Sequence, residues 1–297
     1  MNKEFSIVEQ RFKLIRNYID RMPSLSTTVT KVLDVCNRPN TSANDLNRVI
    51  SLDPVLTGQV LKLINSAYYS LPNQITSLAR AIIMLGLNTV KNLALSTAII
   101  GSMGKEKMSR GLPMDTFWTH SICVGVTSKA MAAKNGIPAS LREEYFVAGL
   151  LHDLGKIPLA SCFPTDYDQV LELAELQQGA LHRAETMILG FDHSMTGKMI
   201  AEKWKLSGPL MSSLSNHHEP NNATVEDSNI VTTVALANIY ANIFEIGSAG
   251  DSFPDGPVVF DILEQAGTTW EDVTKLHETV HGEVEKAQVF LKVSIGG

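Results

Sequence analysis

The stretch Asp53-Pro54-Val55-Leu56-Thr57-Gly58-Gln59-Val60-Leu61-Lys62-Leu63-Ile64-Asn65 decides the fold class. An aspartate followed by proline is a helix start, because the carboxylate caps free N–H groups and proline needs no donor at the first helical position. Leu56, Val60, Leu63 and Ile64 then return at steps of three and four, the spacing of one buried helix face. Upstream, Val29, Val32, Leu33 and Cys36 follow the same rule until Asn37-Arg38-Pro39-Asn40 breaks it. Thr41-Ser42 can cap the next helix, with Leu46, Val49 and Ile50 inside. Downstream, Ser77 opens a helix carrying Leu78, Ala81, Ile82 and Leu85, Gly86 closes it, and Leu87 to Ile100 resumes. No strand-like alternation lasts more than a few positions. The pattern predicts an all-α, compact multi-helix bundle, its first half made of short helices joined by loops of two to eight residues.

The composition agrees with a packed chain. Of 297 residues, 44% are hydrophobic and 19% charged, which excludes disordered and collagen-like classes. No signal-peptide pattern is legible, and no run approaches the roughly 18 to 20 apolar residues of a bilayer span. Three cysteines without paired spacing suit a reducing cytoplasm. A net charge of −6 with no basic run argues against nucleic acid, and nothing points to a membrane. The first hundred residues hold no histidine and no carboxylate cluster, so a structural or partner-binding role is expected there. The unpatterned segment Lys105 to Pro113 is the expected junction. The division is thus an extension (1–19), an N-terminal helical subdomain (20–104), a histidine-bearing helical subdomain (105–247) and a loop with a helical tail (248–297). That tail can cover the core or pair with a second copy in a homodimer.

All eight histidines lie after residue 119. His120 shares a helix face with Phe117, Val124, Thr127 and Met131, where a lone histidine is ordinarily a satisfied core residue. The following helix carries Tyr145, Ala148 and His152 and ends in His152-Asp153-Leu154-Gly155-Lys156, with Gly155 as its expected cap. Adjacent side chains on a helix point about 100° apart, so His152 and Asp153 converge only near a helix end. An imidazole and a carboxylate on one target suit a divalent metal, and the carboxylate can bridge two. His193 sits at a helix start, and His217-His218 at a helix end.

These residues carry a resemblance. His120, His152-Asp153, His193 and His217-His218 follow the order of the HD superfamily of metal-dependent phosphohydrolases. The chain more closely resembles the HDOD domain, an HD-related output domain of bacterial signalling proteins. The matching motifs are Arg21-Met22-Pro23-Ser24-Leu25, Ile50-Ser51-Leu52-Asp53-Pro54-Val55-Leu56-Thr57, Leu61-Lys62-Leu63-Ile64-Asn65-Ser66-Ala67 and Ala81-Ile82-Ile83-Met84-Leu85-Gly86. The run from Gly190 through Trp204 to His217-His218-Glu219-Pro220 completes them, over about residues 20 to 247. The resemblance implies an HD-like helical fold and a place in signal transduction, with other signalling proteins as partners. His120, His152 and Asp153 match the HD ligands. His193, His217 and His218 match the added histidines of the related HD-GYP phosphodiesterases, which hold two metals. Iron leads among the divalent metals implied, with manganese, zinc and nickel as alternatives.

Two departures limit the resemblance. Where the HD pattern closes with an aspartate, this chain has Asn238, a neutral amide. The glycine-tyrosine-proline signature is replaced by Glu219-Pro220-Asn221-Asn222. A regulatory module that keeps its metal site is therefore the leading expectation. The alternative is an active phosphohydrolase or phosphodiesterase on a nucleotide or cyclic dinucleotide, with Asp153 bridging and a metal-activated water attacking. In that alternative Lys156 meets the anionic ligand; otherwise it is a solvated lysine past a helix end. No receiver, sensor or cyclase pattern accompanies these motifs, so input is expected from another protein.

Two further patterns compete for attention. His277-Glu278-Thr279-Val280-His281 satisfies the two-histidine motif of zinc proteases. Only sixteen residues follow, no histidine is among them, and Glu283 and Glu285 stand too close to fold back as a ligand. A chance match on a solvated helix is expected. His182 and Glu185, at i and i+3, are expected as an exposed pair, or otherwise as groups supporting the metal cavity.

Overall fold

The computed structural model describes residues 2–36, 38, 41–104, 106, 111–254 and 256–295, with side chains from residue 7 onward. The helices in order are α1 (Asn2–Arg21), α2 (Thr27–Cys36), α3 (Ala43–Ile50), α4 (Pro54–Ile64), α5 (Leu78–Leu85) and α6 (Leu87–Met103). There follow α7 (Met114–Lys134), α8 (Ala139–Leu151), α9 (Lys156–Cys162), α10 (Pro164–Gln177), α11 (Leu181–Leu189) and α12 (His193–Trp204). The chain closes with α13 (Gly208–Asn216), α14 (Ser228–Ile243), α15 (Gly256–Gln265), α16 (Trp270–Thr274), α17 (His277–Ala287) and α18 (Val289–Ile295). The fold is all-α, with no strand among the described residues.

The expected helix starts are realised in detail. Ser42 forms a capping box with Asp45, Asp53 accepts from Leu56 N ahead of Pro54, and Ser77 accepts from Arg80 N. Each such cap is worth about 1 kcal/mol. Gly86, at φ 87°, turns the chain from α5 into α6, which is buried on nearly every side. The break at Asn37–Asn40 and the junction at Lys105–Pro113 fall largely outside the described residues.

The connection between α4 and α5, residues 65–77, is longer than the expected two to eight residues. Asn65 holds it shut: its amide donates to Ile75 O at 2.8 Å and its carbonyl accepts from Ile75 N at 2.7 Å. A side chain that pairs both backbone groups of one residue replaces the ladder a longer loop would lack.

The core runs through the whole chain, joining buried residues from Ile15 to Val293. Helix α6 packs on α2 and α4 and also on α8 and α18, tying the first half to the second. Lys203 of α12 donates to the carbonyls of Ile19, Asp20 and Met22, and Trp204 Nε1 to Pro23 O. These bonds satisfy free carbonyls at the end of α1, as a cation at a helix C-terminus does. Helices α7 and α8 cross so closely that a Cβ on Gly125 or Gly149 would meet the carbonyl of Phe146 or Val124 at 2.7 Å. That close crossing sets His120 on α7 beside His152 at the end of α8. No single helix among the described residues is long and apolar enough to cross a membrane.

Candidate metal centre

Four elements deliver one cluster. His120 comes from α7, His152 and Asp153 from the turn after α8, His193 from the first position of α12, and His217-His218 from the end of α13. Asp192 caps α12 by accepting from Met195 N, which fixes where His193 begins. Gly155 does not cap α8, whose end is capped by His152; its φ is −63°, and it lies directly before α9, whose first residue is Lys156. A Cβ there would collide with the His193 carbonyl, so glycine is required for the close approach of the His152–Gly155 turn to α12.

Asp153 is the hub and is wholly buried. Its Oδ2 lies 3.2 Å from His152 Nε2 and 3.7 Å from His120 Nε2. Its Oδ1 lies 3.2 Å from His193 Nε2 and 3.6 Å from His217 Nε2. His193 Nε2 in turn stands 3.3 Å from His217 Nε2 and 2.9 Å from His218 Nε2. Two overlapping ligand groups result, His120–His152–Asp153 and Asp153–His193–His217–His218, with Asp153 common to both.

The outward nitrogens set the tautomers. His152 Nδ1 faces Gly149 O at 2.7 Å, His217 Nδ1 faces Ser213 O at 3.0 Å, and His193 Nδ1 faces Glu185 Oε2 at 2.6 Å. Those acceptors require N–H at Nδ1, which turns each Nε2 inward. The Nε2 atoms of His152 and His217 then point their lone pairs toward Asp153, while His193, between the carboxylates of Asp153 and Glu185, carries the proton that a metal would displace. Ligand atoms about 2.0 to 2.1 Å from one cation stand about 3 Å apart, so the donor set fits a divalent metal. His152 Nε2 and Asp153 Oδ1 are buried without a hydrogen-bond partner, the orphans such an ion would satisfy.

The titration of the cluster follows from burial and from its two carboxylates. Burial pushes His120 down to about 3 and His217 down to about 4, so both rings are neutral ligands at neutral pH. Burial also lowers His193, but the Glu185 carboxylate and the bond to Asp153 outweigh it and raise the ring to about 10. Asp153 is raised by burial and pulled well below the usual carboxylate range by His152 and Lys156.

Lys156 stands past the end of α8, at the first position of α9, but is not solvated. It is fully buried, and its Nζ meets Asp153 Oδ2 at 2.8 Å and Ala249 O at 3.0 Å. The expected exposure of His182 and Glu185 is also overturned. Glu185 is wholly buried, accepting from His193 N and Tyr167 OH at 2.8 Å each as well as facing His193 Nδ1. His182 is half-buried and stacks on His218 with ring centroids 4.1 Å apart. Glu185 was legible in one respect, since it falls on the stripe Leu181, Ala184, Leu189, and a carboxylate inside an apolar stripe needs a buried partner. Asn238 does reach the cluster, its Oδ1 lying 3.0 Å from His120 Nε2. His277 and His281 lie apart from it on α17, with His277 Nδ1 hydrogen-bonded to Tyr240 OH at 2.8 Å.

The HDOD domain profile matches residues 22–220. The chain belongs to the HDOD family. An HDOD domain protein of unknown function from Geobacter sulfurreducens superposes with a TM-score of 0.75 at 24% identity, covering 95% of this chain and 99% of that one. A candidate phosphohydrolase from Shewanella amazonensis SB2B superposes at 0.70 with 23% identity, covering 94% and 98%. These likenesses show the fold. An uncharacterised protein of Treponema pallidum is 25% identical over 240 residues, and this HDOD chain spans 46% of that relative's length.

Proposed function

We propose that this HDOD chain is a regulatory output module whose histidine–aspartate cluster holds one or two divalent metal ions. Iron leads, with manganese, zinc and nickel as alternatives, because imidazole–carboxylate donor sets accept all four. The observation that carries the reading is the convergence of four imidazole Nε2 atoms within 3.7 Å of the Asp153 carboxylate, with His152 Nε2 and Asp153 Oδ1 left as buried groups that a bound cation would satisfy. Other signalling proteins are the proposed partners. Helices α2–α6 carry no histidine, and Leu52, Val55 and Ile83 stand exposed in that half, which supports a contact role for it. Three free cysteines support a reducing, cytoplasmic setting.

A second reading, a phosphohydrolase, draws on the cavity that adjoins His217 and His218. A bound divalent cation would supply a Lewis acid and lower the pKa of water. Asp153 would hold the metals, and Lys156 would fix the carboxylate's orientation. The module is favoured because Asn238 brings no charge and Lys156 is buried with two of its three donors on Asp153 and Ala249.

Elemental analysis of purified chain, beside His152→Ala, tests the metal: about one to two equivalents are expected, with a loss in the variant. Less than about a tenth of an equivalent in both would end the metal reading. A panel of nucleotides and cyclic dinucleotides with iron, manganese or nickel separates the two functions. Turnover that Asp153→Ala abolishes favours the enzyme, and silence favours the module.

A further inference from the structure

We infer that the outer face of α3, α4 and α5 is a docking surface for the acidic face of α10 and α15 on a second copy of this chain. The inference rests on the contact role proposed above for the first half and needs no metal.

The chain is divided in charge. Residues 1–104 hold 11 Lys and Arg against 6 Asp and Glu, whereas residues 105–297 hold 14 against 25. A net charge of −6 is thus about +5 in the first part and about −11 in the rest. Opposite charge on two parts of one molecule steers copies into unlike-to-unlike encounters.

The basic face is a layer of three helices. Helices α3, α4 and α5 pack on α6 and on one another, so their outer sides are turned away from the core. Arg48 and Leu52 run off the end of α3, Val55 and Lys62 stand on α4, and Arg80 and Ile83 stand on α5, all exposed. Within each pair the spacing is three, four or seven residues, which puts the cation and the apolar side chain on one helix face. Leu52, Val55 and Ile83 are 68%, 69% and 80% exposed, and with Met84 they are the exposed large apolar side chains among the described residues of 22–104. Arg48, Lys62 and Arg80 form no ion pair among the described residues, and Asp45 and Asp53 are committed to the caps of α3 and α4. Apolar side chains rimmed by cations in this way mark an interaction surface.

The acidic face answers it. On α10, Glu172, Glu175 and Leu176 share one side, with Leu176 83% exposed. On α15, Phe260, Asp261 and Glu264 do the same, with Phe260 73% exposed. The end of α10 and the start of α15 line one recess through Ala174, Gln177, Pro254 and Gly256, so the two stretches adjoin. The four carboxylates form no ion pair among the described residues. An anionic lipid surface would answer the cations of the basic face but leave Leu176 and Phe260 bare, whereas a second copy covers both faces. Two copies related by a two-fold axis make the contact twice, which closes the assembly as a dimer.

Sedimentation velocity of the full chain from about 5 to 500 μM reads the association. The apparent mass is expected to rise toward a dimer, and raising salt from about 0.05 to 0.5 M should weaken association about tenfold by screening. Arg48→Glu/Arg80→Glu and Glu172→Arg/Glu175→Arg each set like charges across the contact, and each alone should stay monomeric. Mixed in equal amounts, the two variants should associate again, because each altered face then meets its opposite. Ile83→Asp should weaken association about tenfold. All these positions are exposed, so urea unfolding of each variant should match the parent. A parent that stays monomeric, binding of phosphatidylglycerol vesicles in place of self-association, or variants that stay apart when mixed each overturns this inference alone. Association that survives both Arg48→Glu/Arg80→Glu and Ile83→Asp overturns it together with the contact role of the first half.

Discussion

The two halves of the cluster are built to different standards. Around Asp153 Oδ1, three imidazoles gather, and the central one, His193, is held by the buried Glu185. Around Asp153 Oδ2, there are two imidazoles and the neutral amide of Asn238, and His120 Nδ1 has no partner at all. A carboxylate behind a ligating histidine fixes its orientation and raises its basicity, and such support typically carries 10- to 100-fold in metal affinity. The comparison teaches that ligand identity alone does not rank two sites. The His193 side is expected to bind first and tightly, and the His120 side second and weakly.

The largest effect belongs to the shared residue. Asp153→Ala is expected to empty both sites, leaving less than about a tenth of a metal per chain by elemental analysis. It also strands Lys156, whose buried ammonium loses its carboxylate. Denaturant unfolding should therefore show a loss of about 3 to 5 kcal/mol. If one full equivalent of metal survives, the two halves do not share Asp153 and the comparison fails.

Next come two substitutions that act on one half each. Glu185→Gln keeps the shape but removes the charge behind His193, and should weaken the tighter site about 10- to 100-fold in chelator competition. Asn238→Asp adds a charge beside His120 and should strengthen the weaker site by a comparable factor. The two changes together should bring the affinities closer. Opposite signs, or an effect of Glu185→Gln on the weaker site alone, would reverse the assigned order.

A smaller effect is read from pH in chelator-treated chain. His120 and His217 are held down, at about 3 and about 4, whereas an unfolded histidine titrates near 6.5. Below about 6.5 the unfolded chain takes up protons that these rings refuse, so it binds more protons than the folded chain. The share of these two rings is full above that value and falls as pH drops toward 4, by up to about 1.4 kcal/mol per unit for each ring, whereas His193, raised to about 10, loses its own share as pH climbs from about 6.5 toward 10. Urea unfolding at a series of pH values measures the slope. Burial also holds His218 and His182 down, so His217→Gln should remove one ring's share of the slope, and an unchanged slope would mean that the His217 ring is hydrated.

What was legible in the sequence was local. Ser42, Asp53 and Ser77 cap helices through groups three residues away, so a short window suffices to read them. The histidines were legible by their order and their places at helix ends. The rest depends on partners far along the chain. Lys156 is buried because Ala249, 93 residues on, accepts from it, and Gly155 is glycine because α12 passes over it. Glu185 reaches His193 only because the turn at Gly190, φ 91°, folds α11 back on α12. Spacing of i and i+3 described its own helix correctly and was silent about that return.

The smallest effect serves as the control for the whole comparison. His277 and His281 reproduce a zinc-protease spacing, yet their ring centroids are 6.4 Å apart and no third ligand joins them among the described residues. His277 spends its Nδ1 on Tyr240 OH, which joins α17 to α14. His277→Ala should therefore leave metal content unchanged and cost about 1 kcal/mol of stability, the worth of one hydrogen bond. His281, exposed, should be near neutral when replaced by alanine. Two histidines with correct spacing but no third ligand gathered with them among the described residues make a helix surface. A drop in metal content in either variant would mean that spacing, rather than enclosure around Asp153, is what gathers the ion.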